Sequence, residues 1–425
     1  MLMMTRVVLI GLVPMLAEAE CTFDEPLPVT HPPLVEVVGA GLDHTCAVSR
    51  YHIKCWGDNS YGQLGRGDTV TVGDDEPVRT AEELELGLFG RVAEVAAGDL
   101  HTCVRNVEGE VYCWGYKNVL GLMASEDIGD DEPPVVTPVA LGRPAIGLAA
   151  GALRTCALLD DQTVRCWGYN DHGELGLGFV GDPIGDDESP TSVPVVPVGA
   201  EVRAIAAGGG HACVITTDYQ VRCWGQNNEG QLGYGNHAIV GDNDTPADAG
   251  DVDLGKDSLH QLALGGAHTC ALTTSGHVRC WGLNKYGQLG LGHTSNIGDN
   301  EAVKTAGYVS IDKTRGVTQI AAGSVHTCAL LSDGAVKCWG YGQEGQLGYG
   351  NTSFLGDDEL PSDMPDLKLG KPATRLTMGE HTCAVLKTGD LRCWGINYDG
   401  QLGLGMIELI GDDETPDSVD SLLVF

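Results

Sequence analysis

Ile320-Ala321-Ala322-Gly323-Ser324-Val325-His326-Thr327-Cys328-Ala329-Leu330-Leu331-Ser332-Asp333-Gly334-Ala335-Val336-Lys337-Cys338-Trp339-Gly340 opens the clearest copy of a unit that fills this chain. The copy continues through Tyr341-Gly342-Gln343-Glu344-Gly345-Gln346-Leu347-Gly348-Tyr349-Gly350, then a spacer, then Gly356-Asp357-Asp358-Glu359-Leu360-Pro361. Its Cys-Trp-Gly step recurs seven times, with Trp at 56, 114, 167, 224, 281, 339 and 394, at intervals of 53 to 58 residues. A period of this size means that one small unit stacks on copies of itself, so the fold is argued from the unit.

Inside the unit, Ala329-Leu330-Leu331 and Ala335-Val336-Lys337 flank Ser332-Asp333-Gly334. Two strand-like arms around three turn residues ending in Gly predict a β-hairpin, whose third loop position is left-handed. Gly109, Gly276 and Gly389 fill that slot in other copies, whereas Gln162 and Tyr219 break the pattern. Equal arms set Cys328 opposite Cys338, close enough for a disulfide. In the first copy, a two-residue turn at Arg50-Tyr51 keeps Cys46 opposite Cys55. Seven intrablade disulfides are expected: Cys46–Cys55, Cys103–Cys113, Cys156–Cys166, Cys213–Cys223, Cys270–Cys280, Cys328–Cys338 and Cys383–Cys393.

Those pairs use fourteen of the 15 cysteines and leave Cys21 over. Persistent disulfides require an oxidising compartment. The N-terminus agrees: Arg6 precedes an apolar run, Val7 to Leu16, and then Ala17-Glu18-Ala19. A short apolar run before an A-x-A site predicts a secretory signal over residues 1–19. The run is too short to span a bilayer, and no other segment suits a membrane span. Residues 20–33 are Pro-rich and predict a linker. Cys21 is either a lipid-anchor site, although Glu18 and Glu20 intrude on the lipoprotein pattern, or a free or locally paired thiol.

The formal net charge is −34, with 25 Lys and Arg against 59 Asp and Glu. That balance opposes nucleic-acid binding, which needs clustered cations, and favours a soluble monomer. From residue 34 onward the repeats run to the end without a shift in composition. In a typical copy, residues 192–198, 202–207, 213–216 and 220–224 are strand candidates, and no stretch shows a sustained helical period. Four antiparallel strands repeated seven times predict an all-β, seven-bladed β-propeller.

The ordered motifs Gly-x-x-His-Thr-Cys-Ala-Leu, Val-x-Cys-Trp-Gly-x-Asn and x-Gly-Gln-Leu-Gly-x-Gly resemble the regulator of chromosome condensation repeat over residues 34–425. The resemblance implies the same seven-bladed propeller. The paired cysteines and the Gly-Asp-Asp-Glu motif resemble secreted bacterial members, which implies a secreted, periplasmic or cell-surface location. Three departures stand out. The second copy lacks Gln-Leu-Gly after Trp114; the third has Arg154 for His and Glu174 for Gln; the fifth has Ala302-Val303 where Pro is usual.

Each motif has a plain reading beside a sharper one. His44, His101, His211, His268, His326 and His381 lie two residues before a Cys, and with the facing Cys could form part of a zinc site. Arg154 opposes this, because its copy keeps Cys156 and Cys166 without the His. The histidines are then expected to bond turn backbone between blades. The seven Trp suit either a sugar-binding surface or repeated packing between blades; identical positions favour packing. The glycines of Gly-Gln-Leu-Gly-x-Gly form no phosphate loop and mark positive φ or close approach.

The acidic motif is the most open. Asp74, Asp75, Glu76, Asp130, Asp131, Glu132, Asp357, Asp358 and Glu359 stand in its fullest copies, and related acids follow Gly185, Gly241, Gly298 and Gly411. Such residues cap turns through bonds to backbone N–H. Calcium, the only cofactor considered, and a basic partner are the alternatives. No catalytic constellation stands out, so the chain reads as a non-catalytic binding scaffold for an unidentified protein or surface ligand. Its rivals are a hydrolase inhibitor of propeller type, which wants exposed aromatics on one ring face, and guanine-nucleotide exchange by family analogy. Two geometric expectations complete the reading. Residues 419–425 should pair into the first blade to close the ring, with residues 26–31 as competitor. The long loops after Cys-Trp-Gly should share one acidic, partner-binding face, opposite the tight hairpins.

Overall fold

The computed structural model describes residues 34–49, 52–84, 90–134 and 137–425. The expected signal segment 1–19, the expected linker 20–33 with Cys21, the expected competitor segment 26–31 and the expected Arg50-Tyr51 turn lie outside those residues. Residues Leu34–Phe425 form one compact unit.

The unit holds seven antiparallel sheets, each built from consecutive strands. The first is Val37–Ala40, His44–Ser49 and His52–Gly57; the sixth is Val317–Ala322, His326–Leu331 and Val336–Gly340. Seven blades stand in a ring because the first strand of every blade contacts the first strand of the next, the seventh returning to the first. The ends of all seven first strands surround one axial cavity of about 110 Å³. These strands are rich in Ala and end in Gly, so their backbones approach closely. A Cβ on Gly41 would lie 2.2 Å from the Gly98 oxygen.

Middle and third strands pair in the register that the equal arms require: Cys328 faces Cys338, and His326 faces Gly340. The left-handed hairpin slot is real in all six copies with a three-residue turn. Gly334 has φ of 87°, and Gln162 and Tyr219 adopt the same region with φ of 65° and 67°. Side chains in this region cost roughly 1–2 kcal/mol per residue, so the fold imposes the turn where the sequence does not favour it.

Two expectations are corrected. Among the described residues only the third blade has four regular strands, its fourth being Gly181–Ile184. In the other blades the long loop returns to touch the Cys-Trp-Gly glycine through one bridge, as at Gly57–Val72 and Gly340–Leu355. The outermost segment is extended but barely bonded. Val196 donates one backbone hydrogen bond to Val164 and Leu367 one to Val336. Prolines, which lack the donor, explain why residues 192–198 form no full ladder. Moreover, Val164 belongs to the preceding hairpin, so 192–198 is the outer edge of the third blade rather than the start of the fourth.

Ring closure is corrected for the same reason. Leu422 pairs with Leu391, so residues 419–425 complete their own seventh blade and do not enter the first. Every repeat runs from the axis outward, which leaves no strand to exchange. The seam is held instead by short contacts: Val35 N–H donates to the Gly389 carbonyl, Val78 N–H to Gly403 and Gly405 N–H to Gly73.

Candidate functional site

The conserved-looking motifs turn out to be a latch between neighbours. His326 on the sixth blade bonds through Nε2 to the Thr382 hydroxyl of the seventh at 2.8 Å. Thr382 donates its own proton to the Gln346 carbonyl at 3.2 Å, and Trp394 Nε1 donates to that carbonyl at 3.0 Å. Because the hydroxyl proton is committed to the carbonyl, the hydroxyl accepts, and the histidine must carry its proton on Nε2. The same arrangement joins His44 to Thr102, His211 to Thr269 and His268 to Thr327. His381 and Thr45 repeat it across the closing seam. The histidines therefore bond a side-chain hydroxyl of the next blade, not turn backbone as the sequence suggests.

The departures fit this latch. The fourth blade has Ala212 where others have Thr, and the histidine facing it is replaced by Arg154. The guanidinium reaches the carbonyls of Gly208, Gly209 and His211 directly. In the second copy, which lacks Gln-Leu-Gly, no carbonyl meets Trp167, whose Nε1 stays buried without a partner. Glu174 replaces Gln without loss, since Trp224 uses its backbone carbonyl. Val303 replaces the proline that starts the short 3-10 turn and is fully buried there.

The two loop motifs also lock together. The Gly-x-Gly of one blade lies on the acidic motif of the next: Gly350 N–H donates to the Gly411 carbonyl, and Gly67 N–H to Gly129. A Cβ on Gly348 would stand 2.8 Å from Trp394 Nε1, so only glycine fits. All seven Trp are fully buried, as repeated packing requires and a sugar-binding surface does not allow.

All seven Cys pairs named from the register lie at bonding distance, with S–S of 2.01–2.07 Å and Cα separations of 4.0–4.1 Å. A sulfur engaged in such a bond has no thiolate to offer zinc.

The acidic motifs sit at loop bends on the same end as Cys-Trp-Gly. Asp74-Asp75-Glu76, Asp130-Asp131-Glu132 and Asp357-Asp358-Glu359 each bring three carboxylate oxygens within 4.8 Å of one another, as do Asp186-Asp187-Glu188 and Asp412-Asp413-Glu414. The last acid of the motif caps the bend. Gly298 N–H donates to Glu301 at 2.9 Å, and Gly241 N–H to Asp244 at 3.0 Å. Crowding raises the last acid: a hydrogen bond with Asp131, then burial, lifts Glu132 to about 7, and burial, then Asp187, lifts Glu188 to about 7. Among the described residues, none of these acids makes an ion pair.

Cations are used elsewhere. The residue before the second Cys of a pair turns inward and bonds the carbonyls of the outer 3-10 turn: Lys337 Nζ reaches Pro361 and Met364, and Arg392 reaches Pro416 and Val419. Arg143 and Arg315 pair with acids of the hairpin ends, such as Asp160 and Asp333. The acidic triplets of the long-loop face thus stay uncompensated, although Arg66 pairs with Asp68 on the same loops at 3.5 Å. Around the axis on that face stand Asp43, Asp99 and Glu380. Burial, then Glu380 and neighbouring aspartates, raises Asp43 to about 7, and burial, then Glu380, raises Asp99 to about 6.

Aromatic side chains join the acids there. Tyr61, Tyr116, Tyr169, Tyr286, Tyr341 and Tyr398 all follow a Cys-Trp-Gly step within six residues, half of the twelve Tyr in the chain. Tyr61 stands edge-on to Tyr116, and Tyr286 to Tyr341, with ring centroids 5.3 and 5.0 Å apart. These tyrosines do not stand out in the sequence, because they vary from copy to copy. Their common place in the few residues after each Cys-Trp-Gly step was the available signal.

The Regulator of chromosome condensation (RCC1) repeat matches this chain in two family models. One covers residues 92–121, 146–174, 202–231, 260–288, 317–346 and 379–401; the other covers 55–105, 163–215 and 275–330. Among characterised proteins, the Ultraviolet-B receptor UVR8 of Arabidopsis thaliana is 30% identical over 383 residues, 89% of this chain and 80% of its own length. The probable E3 ubiquitin-protein ligase HERC4 of Mus musculus is 32% identical over 354 residues, but the chain spans only 31% of its length. Among solved structures, human WBSCR16 superposes with a TM-score of 0.67 at 21% identity, covering 85% of this chain and 92% of its own. Yeast RCC1 (Prp20), crystallised with Kap60, gives 0.66 at 20% identity, covering 95% and 91%.

Proposed function

Because this chain belongs to the Regulator of chromosome condensation (RCC1) repeat family, we propose that its propeller is a non-catalytic, protein-binding scaffold that presents the long-loop face to a basic partner. The observation that carries this reading is the uncompensated acid on that face, set beside variable tyrosines, while the cations serve internal caps and hairpin ends. Electrostatic complementarity of this kind steers association and selects partners. Long loops on a rigid scaffold are where such function concentrates.

Seven disulfides suit an oxidising compartment, so the place of action is outside the cytosol, in the envelope or beyond, as a monomer. Among the described residues no helix is long and apolar enough to cross a membrane. The six tyrosines on one face favour a second reading, inhibition of a secreted hydrolase by the same surface. It differs in requiring that the partner lose activity on binding.

The acidic triplets are bend caps in this reading, with partner attraction as their outward role and calcium as the competing one. Replacing Asp74, Asp75, Asp130, Asp131, Asp357 and Asp358 together by Asn tests it. Binding to a basic partner is expected to weaken at least about tenfold and to lose much of its salt dependence. The melting temperature of the parent is expected not to rise with millimolar calcium. Unchanged binding would remove the acidic loops from the interface, and a calcium-dependent rise abolished in the variant would assign them to the ion.

A further inference from the structure

The repeats explain every residue that recurs, so residues that do not recur at equivalent positions carry the individuality of this protein. On the long-loop face, between the sixth and seventh blades, Glu380, Ile396 and Tyr398, whose residue types recur at none of the equivalent positions, join repeated ones around one cavity of about 240 Å³. Its walls include Tyr341, Ile396 and Tyr398, and its polar lining includes Glu344, Gln346 and Glu380. At roughly 30 Å³ per water, this space would hold about eight waters, enough for one long side chain.

Each wall has a reason to be rigid. Tyr341 stacks on Phe354 at 5.4 Å and meets Tyr286 edge-on. Tyr398 is 59% exposed, yet its hydroxyl donates to Glu344 Oε2 at 2.7 Å, which ties ring and carboxylate together. The position of Tyr398 holds Ser60, Asn118, Asp171, Asn228, Lys285 and Gln343 in the other copies. Glu380 exists because the seventh turn is one residue shorter: Gly379-Glu380 leads into His381, where the sixth has Gly323-Ser324-Val325 before His326. Neither Glu344 nor Glu380 makes an ion pair among the described residues.

Gln346 adds an unfilled donor to the lining. It is 2% exposed. Its side-chain carbonyl oxygen accepts from Glu344 N–H, whereas its amide N–H₂ makes no hydrogen bond among the described residues and, unlike that of Gln288, is not sealed in the core but opens on the cavity. In the first and seventh copies the equivalent amides donate to carboxylates, Gln63 to Asp58 and Gln401 to Asp43. In the sixth copy Tyr341 stands where the first has Asp58, and Glu380 stands where Asp43 faces Gln401 but makes no hydrogen bond to Gln346, so the donor lines the cavity. A ligand that completes this site must bring positive charge for two carboxylates, apolar surface for the rings and an oxygen acceptor for Gln346. A bare cation lacks the last two, whereas a basic residue on a peptide has all three.

We propose that the cavity between the sixth and seventh blades is the receptor for a lysine or arginine side chain of the partner protein. Its cationic head would lie between Glu344 and Glu380, its stem against Tyr341 and Tyr398, and a carbonyl of the entering segment opposite Gln346. Charge-assisted pairing and cation–aromatic contact both strengthen in such a half-enclosed site. This assignment rests on the long-loop face being the binding face, and it narrows that face to one pocket.

The test is amide NMR on the full chain, titrated with N-acetyl-lysine-methylamide and N-acetyl-arginine-methylamide, with N-acetyl-norleucine-methylamide as the uncharged match. Saturable shifts confined to residues 341–346, 380 and 396–399 are expected with the basic probes, and binding at least about tenfold weaker for norleucine. The E344Q/E380Q variant should lose the same factor while keeping the parent spectrum elsewhere, which shows it folded. Y398A should weaken both basic probes and reports the wall independently of the carboxylates. Equal binding of norleucine, an unaffected E344Q/E380Q variant, or no saturable shift at millimolar probe overturns the proposal. Shifts centred on other acidic loops of the same face would overturn the pocket and leave the face reading standing.

Discussion

Reduced under denaturant and returned to buffer without reoxidation, the chain is expected to stay unfolded. Each disulfide closes a short loop, with a sequence separation of 9 or 10 residues. Such a loop restrains the unfolded chain by roughly 2–3 kcal/mol. Seven at half that value still contribute on the order of 10 kcal/mol, comparable to the whole net stability of an ordinary domain, about 5–15 kcal/mol. The sulfurs lie on residues no more than 3% exposed, so reductant without denaturant should react slowly. Circular dichroism and non-reducing peptide mapping check both statements. A reduced chain that melts within a few degrees of the oxidised one, or bridges found between blades, would contradict them.

Acid is expected to unfold the propeller well above the pH at which its carboxylates neutralise. The six latch histidines are fully buried, and burial first of all depresses them: His44 and His268 to about 4, His101, His326 and His381 to about 3, and His211 well below its usual value. In the unfolded chain each titrates near 6.5. The folded values are lowered, so the unfolded state binds more protons below pH 6.5 and stability falls as pH falls. The stability is fully present above about 6.5 and is lost progressively toward the folded values.

Between pH 6.5 and 5 the folded histidines stay neutral, so the size of the effect depends little on their exact depression. Each contributes a loss of roughly 2 kcal/mol by pH 5, on the order of 10 kcal/mol for six. Asp43 and Asp99 act oppositely. Their raised values, about 7 and about 6, mean that acidification relieves them, returning a few kcal/mol. Glu132 and Glu188, also raised to about 7, act in the same direction, but they stand on solvent-facing loops where screening shrinks their share. The histidines outweigh these acids because all six are fully buried. Urea unfolding at pH 7, 6 and 5 should show a falling midpoint, and a single H268Q variant a shallower fall. A midpoint flat to pH 5 would mean that the histidines are hydrated or already paired on Nδ1.

How far the sequence carried is clearest at particular residues. Cys328 and Cys338 were legible because equal arms about a turn fix the register without knowledge of the rest of the molecule. The Trp positions were legible because seven identical environments imply packing. The assignment of 192–198 and 419–425 to blades was not, because alternation along the chain is the same whether a segment opens a blade or ends one. The two backbone hydrogen bonds between Leu391 and Leu422 decide it for 419–425, and the one from Val196 to Val164 for 192–198. The latch was half legible: the histidines stood out, but their Thr partners were hidden inside His-Thr-Cys as ordinary strand residues. The pairing of Arg154 with Ala212 needed the knowledge that consecutive blades touch there. Glu380 and Tyr398 were overlooked because departures from a repeat look like noise until the structure gathers them around one cavity.

That the long-loop face meets the partner is tested most directly by photo-crosslinking from both ends of the ring. A benzophenone amino acid at Tyr398 reports the long-loop face, and one at Tyr219, 40% exposed at a hairpin tip, reports the other. Both sites are solvent-accessible, so neither substitution should disturb the core. In the source cells, a discrete adduct with a single protein is expected from position 398, lost in the E344Q/E380Q background if the pocket seats the partner, and none from position 219. An adduct from position 219 with none from 398 would place the partner on the hairpin face and contradict the proposed function.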